Sequence, residues 1–272
     1  MRRTLEREIP MPRFLLKFLV LWSWILVWSP SAPALALDME SLVQSRLSKD
    51  GTTLDLTRKK IKTAGARQLA QMEVLKGVTS LLLEGNQIKN EGMEALAQSP
   101  HLAQLKHLDL WGNTLGDLGV QALVESPYLK NLETLKLWKN EIGEDGLALM
   151  AESDHFQHLK TLLLNDNLVT PEAIGYLAQS KGFPNLETLS LFRNLIGDEG
   201  AGHLARSPNF INLTQLYVGQ NNITDVGAVE LIKSRNFPKL VVLDMIQNQL
   251  GEETLKAKFK FNRNRGIEIV LR

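Results

Sequence analysis

The sequence predicts an α/β solenoid, in which strand, loop, helix and loop repeat along one stacked body. Three observations carry this prediction. First, Asn86, Asn113, Asn140, Asn167, Asn194, Asn221 and Asn248 recur every 27 residues with no insertion or deletion, and a fixed period of that size marks stacked supersecondary units. Second, two leucine-dominated rows share the period: Leu54, Leu81, Leu108, Leu135, Leu162, Leu189, Leu216 and Leu243, then Leu56, Leu83, Leu110, Leu137, Leu164, Leu191, Val218 and Met245. Their alternation with other residues is that of a short strand with one buried face. Third, each asparagine is followed two residues on by an aliphatic residue (Ile88, Leu115, Ile142, Val169, Ile196, Ile223, Leu250) and then by a stretch with helical spacing.

In chain order, residues 37–50 read as an N-terminal capping helix through Leu42, Val43 and Leu47. Residues 51–266 form eight repeats, and residues 267–272 form a closing strand. Gly92, Gly119, Gly146, Gly200 and Gly227 sit where helices begin, and Thr170-Pro171 is a capped start with proline at the first helical position. Leu96, Leu123, Met150, Leu177, Leu204 and Leu231 form the inward helical ridge. The small residues that follow it, such as Ala97 and Ala178, allow close helix packing. Leu102, Leu129, Phe156, Phe183, Phe210 and Phe237 form an apolar spine at the return loops. The ends depart from the pattern: Lys59 takes the asparagine position in the first repeat, Thr254 replaces a glycine and Lys258 replaces an inward leucine.

Taken over residues 51–272, the pattern typified by Leu105-Lys-His-Leu108-Asp-Leu110-Trp-Gly-Asn113 resembles the leucine-rich-repeat family. The long helical half resembles its ribonuclease-inhibitor-like class. The resemblance implies a right-handed strand–helix superhelix with a curved parallel sheet on the concave face and helices on the convex face. It also implies a non-enzymatic protein that binds a macromolecule. Ribonuclease inhibition is not carried over, because that inhibitor is rich in cysteine and this chain has none. The asparagines read as a structural ladder, their side chains satisfying backbone groups that the bend after each strand leaves unpaired.

The N-terminal 36 residues read as a secretory signal. Arg2, Arg3, Arg7, Arg13 and Lys17 precede an apolar run from Phe18 to Trp28, and Ala34-Leu35-Ala36 fits small-x-small cleavage. Met11 offers a second start. An uncleaved segment would tether the protein to a membrane; otherwise the expected location is periplasmic or secreted. No cysteine stands at the cleavage point for a lipid anchor, and the chain has no disulfide framework. Without this segment the chain has 26 basic and 28 acidic residues. That near-neutral balance, with no basic stripe, argues against nucleic acid as a partner.

Function is expected in what the repeat leaves free. On the concave face one row runs Thr57, Glu84, Trp111, Trp138, Asn165, Phe192, Gly219, Ile246; its neighbour runs Asp55, Leu82, Asp109, Lys136, Leu163, Ser190, Tyr217, Asp244. Trp111, Trp138, Phe192 and Tyr217 are expected to form an exposed aromatic patch with a rim of Asp109, Lys136, Lys139, Asn165 and Arg193. The alternative is that the two tryptophans merely pack on each other. The expected partner is a protein, with a glycan stacked on the aromatics as the second reading. No cofactor is expected. Asp154, His155 and His158 have a ligand-like spacing but read as a solvated loop without a fourth ligand. His107 and Asp109 share the concave face without a nucleophile, which points away from catalysis. Lys256, Lys258, Lys260, Arg263 and Arg265, alternating with Phe259 and Phe261, read as an exposed cap.

Overall fold

The computed structural model describes residues 38–263 and 265–272. The expected signal, residues 1–36, and the expected mature start near Leu37 lie outside them. Among the described residues no helix is long and apolar enough to cross a membrane.

The first element among the described residues is helix α1 (Met39–Arg46), capped by the Asp38 side chain, which accepts from the Ser41 N–H. Nine strands follow: β1 (Thr53–Asp55), β2 (Ser80–Leu82), β3 (His107–Asp109), β4 (Thr134–Lys136), β5 (Thr161–Leu163), β6 (Thr188–Ser190), β7 (Gln215–Tyr217), β8 (Val242–Asp244) and β9 (Glu268–Val270). Between them run α2 (Lys62–Leu69), α3 (Asn90–Ala97), α4 (Gly116–Val124), α5 (Glu144–Glu152), α6 (Pro171–Gln179), α7 (Gly197–Arg206), α8 (Asp225–Lys233) and α9 (Glu252–Asn262). All neighbouring strands are parallel and in sequence order, so the sheet is a single open one, β1 to β9. It is the curved sheet of a leucine-rich-repeat solenoid, an α/β fold. Pairing is in register at the repeat spacing: Leu108 faces Leu135, which faces Leu162.

Each strand has three residues with a buried central one, leucine in β1 to β8 and Ile269 in β9, and its neighbours are more open except at Ser190 in β6. The ladder runs on past the strand ends. Gly85 N–H donates to the Trp111 carbonyl at 2.7 Å, Gly112 to Trp138 at 2.8 Å and Lys139 to Asn165 at 2.9 Å. Both leucine rows and the aliphatic row from Ile61 to Ile223 are buried between sheet and helices. At about 2 kcal/mol for each fully buried leucine, these rows supply the main folding drive. The return-loop spine is buried as well, with Phe156 and Phe183 stacked at 5.6 Å. Thr170 caps α6 by accepting from the Ala173 N–H, and Pro171 follows at the first helical position.

The repeated glycines lie in the first helical turn, and close approach explains them. A Cβ at Gly146 would stand 2.5 Å from Asp117 Oδ1, and one at Gly227 would stand 2.7 Å from Asp198 Oδ1. Those aspartates, from the preceding helix, accept the N–H groups of Gly143 (2.7 Å), Thr224 (2.7 Å) and Gly227 (3.0 Å). Each aspartate thereby caps the next helix start, where negative charge is favoured. Thr254, which stands where the glycine would be in α9, instead donates its hydroxyl to Asp225.

The asparagine side chains bridge adjacent repeats. Asn167 Nδ2 donates to the carbonyls of Leu137 and Leu164 (both 2.9 Å), and its Oδ1 accepts from the N–H groups of Asn140 (3.0 Å) and Ile142 (3.1 Å). Asn86, Asn113, Asn194, Asn221 and Asn248 likewise both donate and accept across repeats. Asn140 departs from this: its Nδ2 donates to Leu110 and Trp138, but its Oδ1 is buried without a partner. A second ladder, of serines, was not singled out from the sequence. Ser99, Ser126, Ser180, Ser207 and Ser234 donate their hydroxyls to the carbonyls of Ala70, Ala97, Ala151, Ala178 and Ala205 in the preceding repeat. The same 27-residue period could have revealed it.

Candidate functional site on the open sheet face

The face of the sheet turned away from the helices holds the two rows singled out in the sequence. Trp111 and Trp138 stand on adjacent repeats and meet edge to face, with ring centroids 5.5 Å apart. The Arg58 guanidinium lies 5.9 Å from the Trp111 ring centre and is held by Glu84 at 2.7 Å. Lys136 Nζ reaches Asp109 at 3.0 Å, and Asp109 also accepts from the Trp111 N–H. Beyond them Arg193, largely exposed, pairs loosely with Asp166 at 3.5 Å.

The expected continuous exposed patch is not what these residues form. Trp111, Trp138, Phe192 and Tyr217 are all half-buried. Asn165, expected on the polar rim, is only 8% exposed and sits between Trp138 and Phe192 in the row. Phe192 leans the other way: a Cβ on Gly219 would meet its ring at 2.8 Å and Ile246 at 2.9 Å. The missing side chain at Gly219 creates the space that Phe192 and Ile246 fill. The Tyr217 hydroxyl donates to Gln215. The aromatics therefore form two groups, the tryptophan pair and Phe192, which shares the space over Gly219 with Ile246. Trp138 Nε1 and Asn165 Oδ1 are buried and unpartnered between them.

Backbone geometry sets the rim. The residue after each member of the Trp111 row has positive φ, at Arg58, Gly85, Gly112, Lys139, Asp166, Arg193, Gln220 and Gln247. In this left-handed conformation, tolerated best by glycine, Lys139 and Arg193 stand exposed at the edge of the sheet face.

The other candidates separate. His155 lies inside the return loop rather than on its surface: it is 6% exposed and packs edge-on against Phe156 at 5.3 Å. Burial lowers its pKa, opposed by a hydrogen bond to the Leu129 backbone. His158 is exposed, so the two histidines do not converge. His107 is exposed, while Asp109 is already engaged by Lys136 and a backbone N–H.

At the strand-entry edge a further cleft, of about 480 Å³, was not anticipated. Its lining includes Lys106, Glu133, His158 and Lys160. Glu133 binds Lys106 at 3.0 Å and Lys160 at 2.9 Å. Hydrogen bonds from Lys160 and then Lys106 hold its carboxyl down at about 2. Lys106, Glu133, Lys160 and Glu187 alternate in sign at the repeat spacing, a signal legible in the sequence. The cleft is an ion ladder joining repeats, and its charges are already paired.

The comparisons agree with this architecture. The family model described as Leucine Rich repeat matches residues 78–97, 101–124, 184–205 and 211–231. Among solved structures, internalin C2 from Listeria monocytogenes superposes with a TM-score of 0.55 at 23% identity, covering 81% of this chain and 80% of that one. A chain of an octameric complex of latrophilin 3, Unc5D and the leucine-rich-repeat region of FLRT2 gives 0.48 at 23% identity, over 73% of this chain and 54% of that one. No curated protein sequence matches the chain. In repeat and in fold, the chain is a leucine-rich-repeat protein.

Proposed function

We propose that the protein is an exported, non-catalytic module that binds a protein partner through the concave face of its sheet. Leucine-rich-repeat folds typically serve protein–protein interaction. The observation that carries the reading is a sheet face left uncovered by the helices, with a half-buried tryptophan pair, the exposed Lys139 next to Trp138 and the exposed Arg193 further along the rim. Aromatic and arginine side chains in such settings dominate interface energetics. Asp109 and Lys136 neutralise each other beside the pair, so the recognition charge falls to the rim. Sugar stacking draws no support: the tryptophans pair edge to face with each other, and Arg58 stands over the Trp111 ring. Export rests on the composition of residues 1–36, with a periplasmic or secreted location.

The test is affinity capture from the exported fraction with wild type and with a Lys139→Glu/Arg193→Glu variant. Both substituted side chains are exposed, so the melting temperature should hold while capture of the partner falls. Undiminished capture by the variant would remove the concave rim from the reading. Turnover of a captured substrate would remove the non-catalytic part.

A further inference from the structure

The C-terminal end of the solenoid differs in charge from the rest. Residues 251–272 hold six basic and three acidic residues, whereas residues 37–250 hold 20 basic and 25 acidic. The excess gathers on and beside α9. On its outer side Phe259 is 85% exposed, and Leu255, one turn earlier, is 47% exposed. Arg263 follows one turn later and is also exposed. Lys258, Phe259, Asn262 and Arg263 line a shallow cleft of about 460 Å³. Lys233 and Lys260 both stand close to the Phe261 ring, at 5.1 and 5.3 Å. The two acidic residues of the first turn, Glu252 and Glu253, are bridged by Lys256 at 2.9 Å each.

The free edge of β9 would ordinarily invite another strand. Here two side chains of α9 reach it. Lys258 Nζ donates to the Ile269 carbonyl at 2.7 Å, and Asn262 both donates to the Ile267 carbonyl and accepts from the Ile267 N–H. The lysine that breaks the leucine pattern thus occupies a carbonyl that a second strand would need, which disfavours pairing of two copies through β9. A protein partner would need about 800 Å² of complementary surface on each side, more than one projecting ring and one leucine supply. An apolar stripe flanked by cations suits a bilayer interface, where no matching shape is needed.

We propose that the outer face of α9 docks on an anionic lipid surface. Phe259 and Leu255 enter the boundary between headgroups and acyl chains, with Lys260 and Arg263 against lipid phosphates. This surface is separate from the concave sheet face, so partner and membrane can be held together.

The absence of cysteine permits a clean test. A single Leu255→Cys substitution in the full chain carries an environment-sensitive fluorophore. On phosphatidylglycerol-containing vesicles its emission should gain intensity and shift to the blue, and it should be quenched by spin-labelled lipid. Pure phosphatidylcholine should give no change. Adding Phe259→Ser or Arg263→Glu, both at exposed positions, should abolish the shift, as should high salt. An equal response on neutral vesicles overturns the proposal. So does vesicle sedimentation of the protein without a change at the label, which would place the contact elsewhere in the chain. No response at all also overturns it, and would leave the patch to an acidic protein.

Discussion

At Asn140 the asparagine ladder is only half made, and the reason lies in the backbone of the preceding repeat. Where the residue after the aliphatic position is left-handed, at Lys62, Gly116 and Gly197, its N–H reaches the backbone carbonyl of the next asparagine at 2.9–3.0 Å. The bond from the aliphatic N–H to that asparagine's Oδ1 then lengthens to 3.3 Å at Asn86 and 3.4 Å at Asn221, and is lost at Asn140. In the other loops it measures 2.9–3.1 Å. Asn167→Ala leaves the Leu137 carbonyl and the N–H groups of Asn140 and Ile142 without a partner, while the Leu164 carbonyl keeps Asn194. It should cost about 3 kcal/mol, within the range for exposing such groups unpaired. Asn140→Ala should cost clearly less; urea unfolding of the two variants makes the comparison, and equal costs would mean that the Oδ1 bonds contribute nothing. A second residue-scale prediction concerns His155. Its folded pKa lies below the unfolded value near 6.5, so the unfolded chain binds more protons in the window between them. The stability from neutral His155 is full above that window and declines as pH falls through it. Relative to His155→Leu, wild type should lose stability on going from about pH 7 to about pH 5, as read by melting curves. Parallel pH profiles would contradict the burial argument.

At the scale of the element, the strand and its next few residues were legible and the positions of the side chains beyond them were not. Period-2 alternation located the two leucine rows of the strands because burial there depends only on which side of the pleat a residue occupies. The same counting placed Trp111, Trp138 and Phe192 in one row, yet direction along the row is set by neighbours. Gly219 draws Phe192 toward Ile246, and Asn165 is walled in rather than offered to solvent. The glycines of the first helical turn are legible as positions, while their causes required three-dimensional contact: the aspartate of the preceding helix at Gly146 and Gly227, and the side chains of Ile88, Leu115 and Ile196 at Gly92, Gly119 and Gly200. From sequence the Asp154–His158 segment reads as a solvated loop, although the His155 ring packs against Phe156. The tryptophan pair gives the prediction at this scale. Trp111→Ala and Trp138→Ala should each destabilise the fold, and a double-mutant cycle should show coupling of about 0.5–1.5 kcal/mol for an edge-to-face pair. Additive losses would mean that the rings stand independently.

For the whole molecule, a strict 27-residue period makes every turn a copy of its neighbour, so stability accumulates across interfaces between adjacent repeats. The leucines, the asparagines, the serines and the Lys–Glu–Lys ladder all join one turn to the next. Residues outside those ladders are the ones available for recognition: the tryptophan pair and rim cations on the sheet face, and the Phe259 stripe at the far end. Position in the period separated scaffold from surface in the sequence. It could not separate an exposed ring from a half-buried one, because exposure depends on how adjacent rows lean. Hydroxyl-radical footprinting of the protein alone and with its captured partner shows directly whether the sheet face is the binding surface. Trp138 and Tyr217 should lose reactivity in the complex, while Tyr176, exposed on the outer side of α6, stays as reactive as before. Protection of Tyr176 with Trp138 and Tyr217 unchanged would contradict binding at the sheet face.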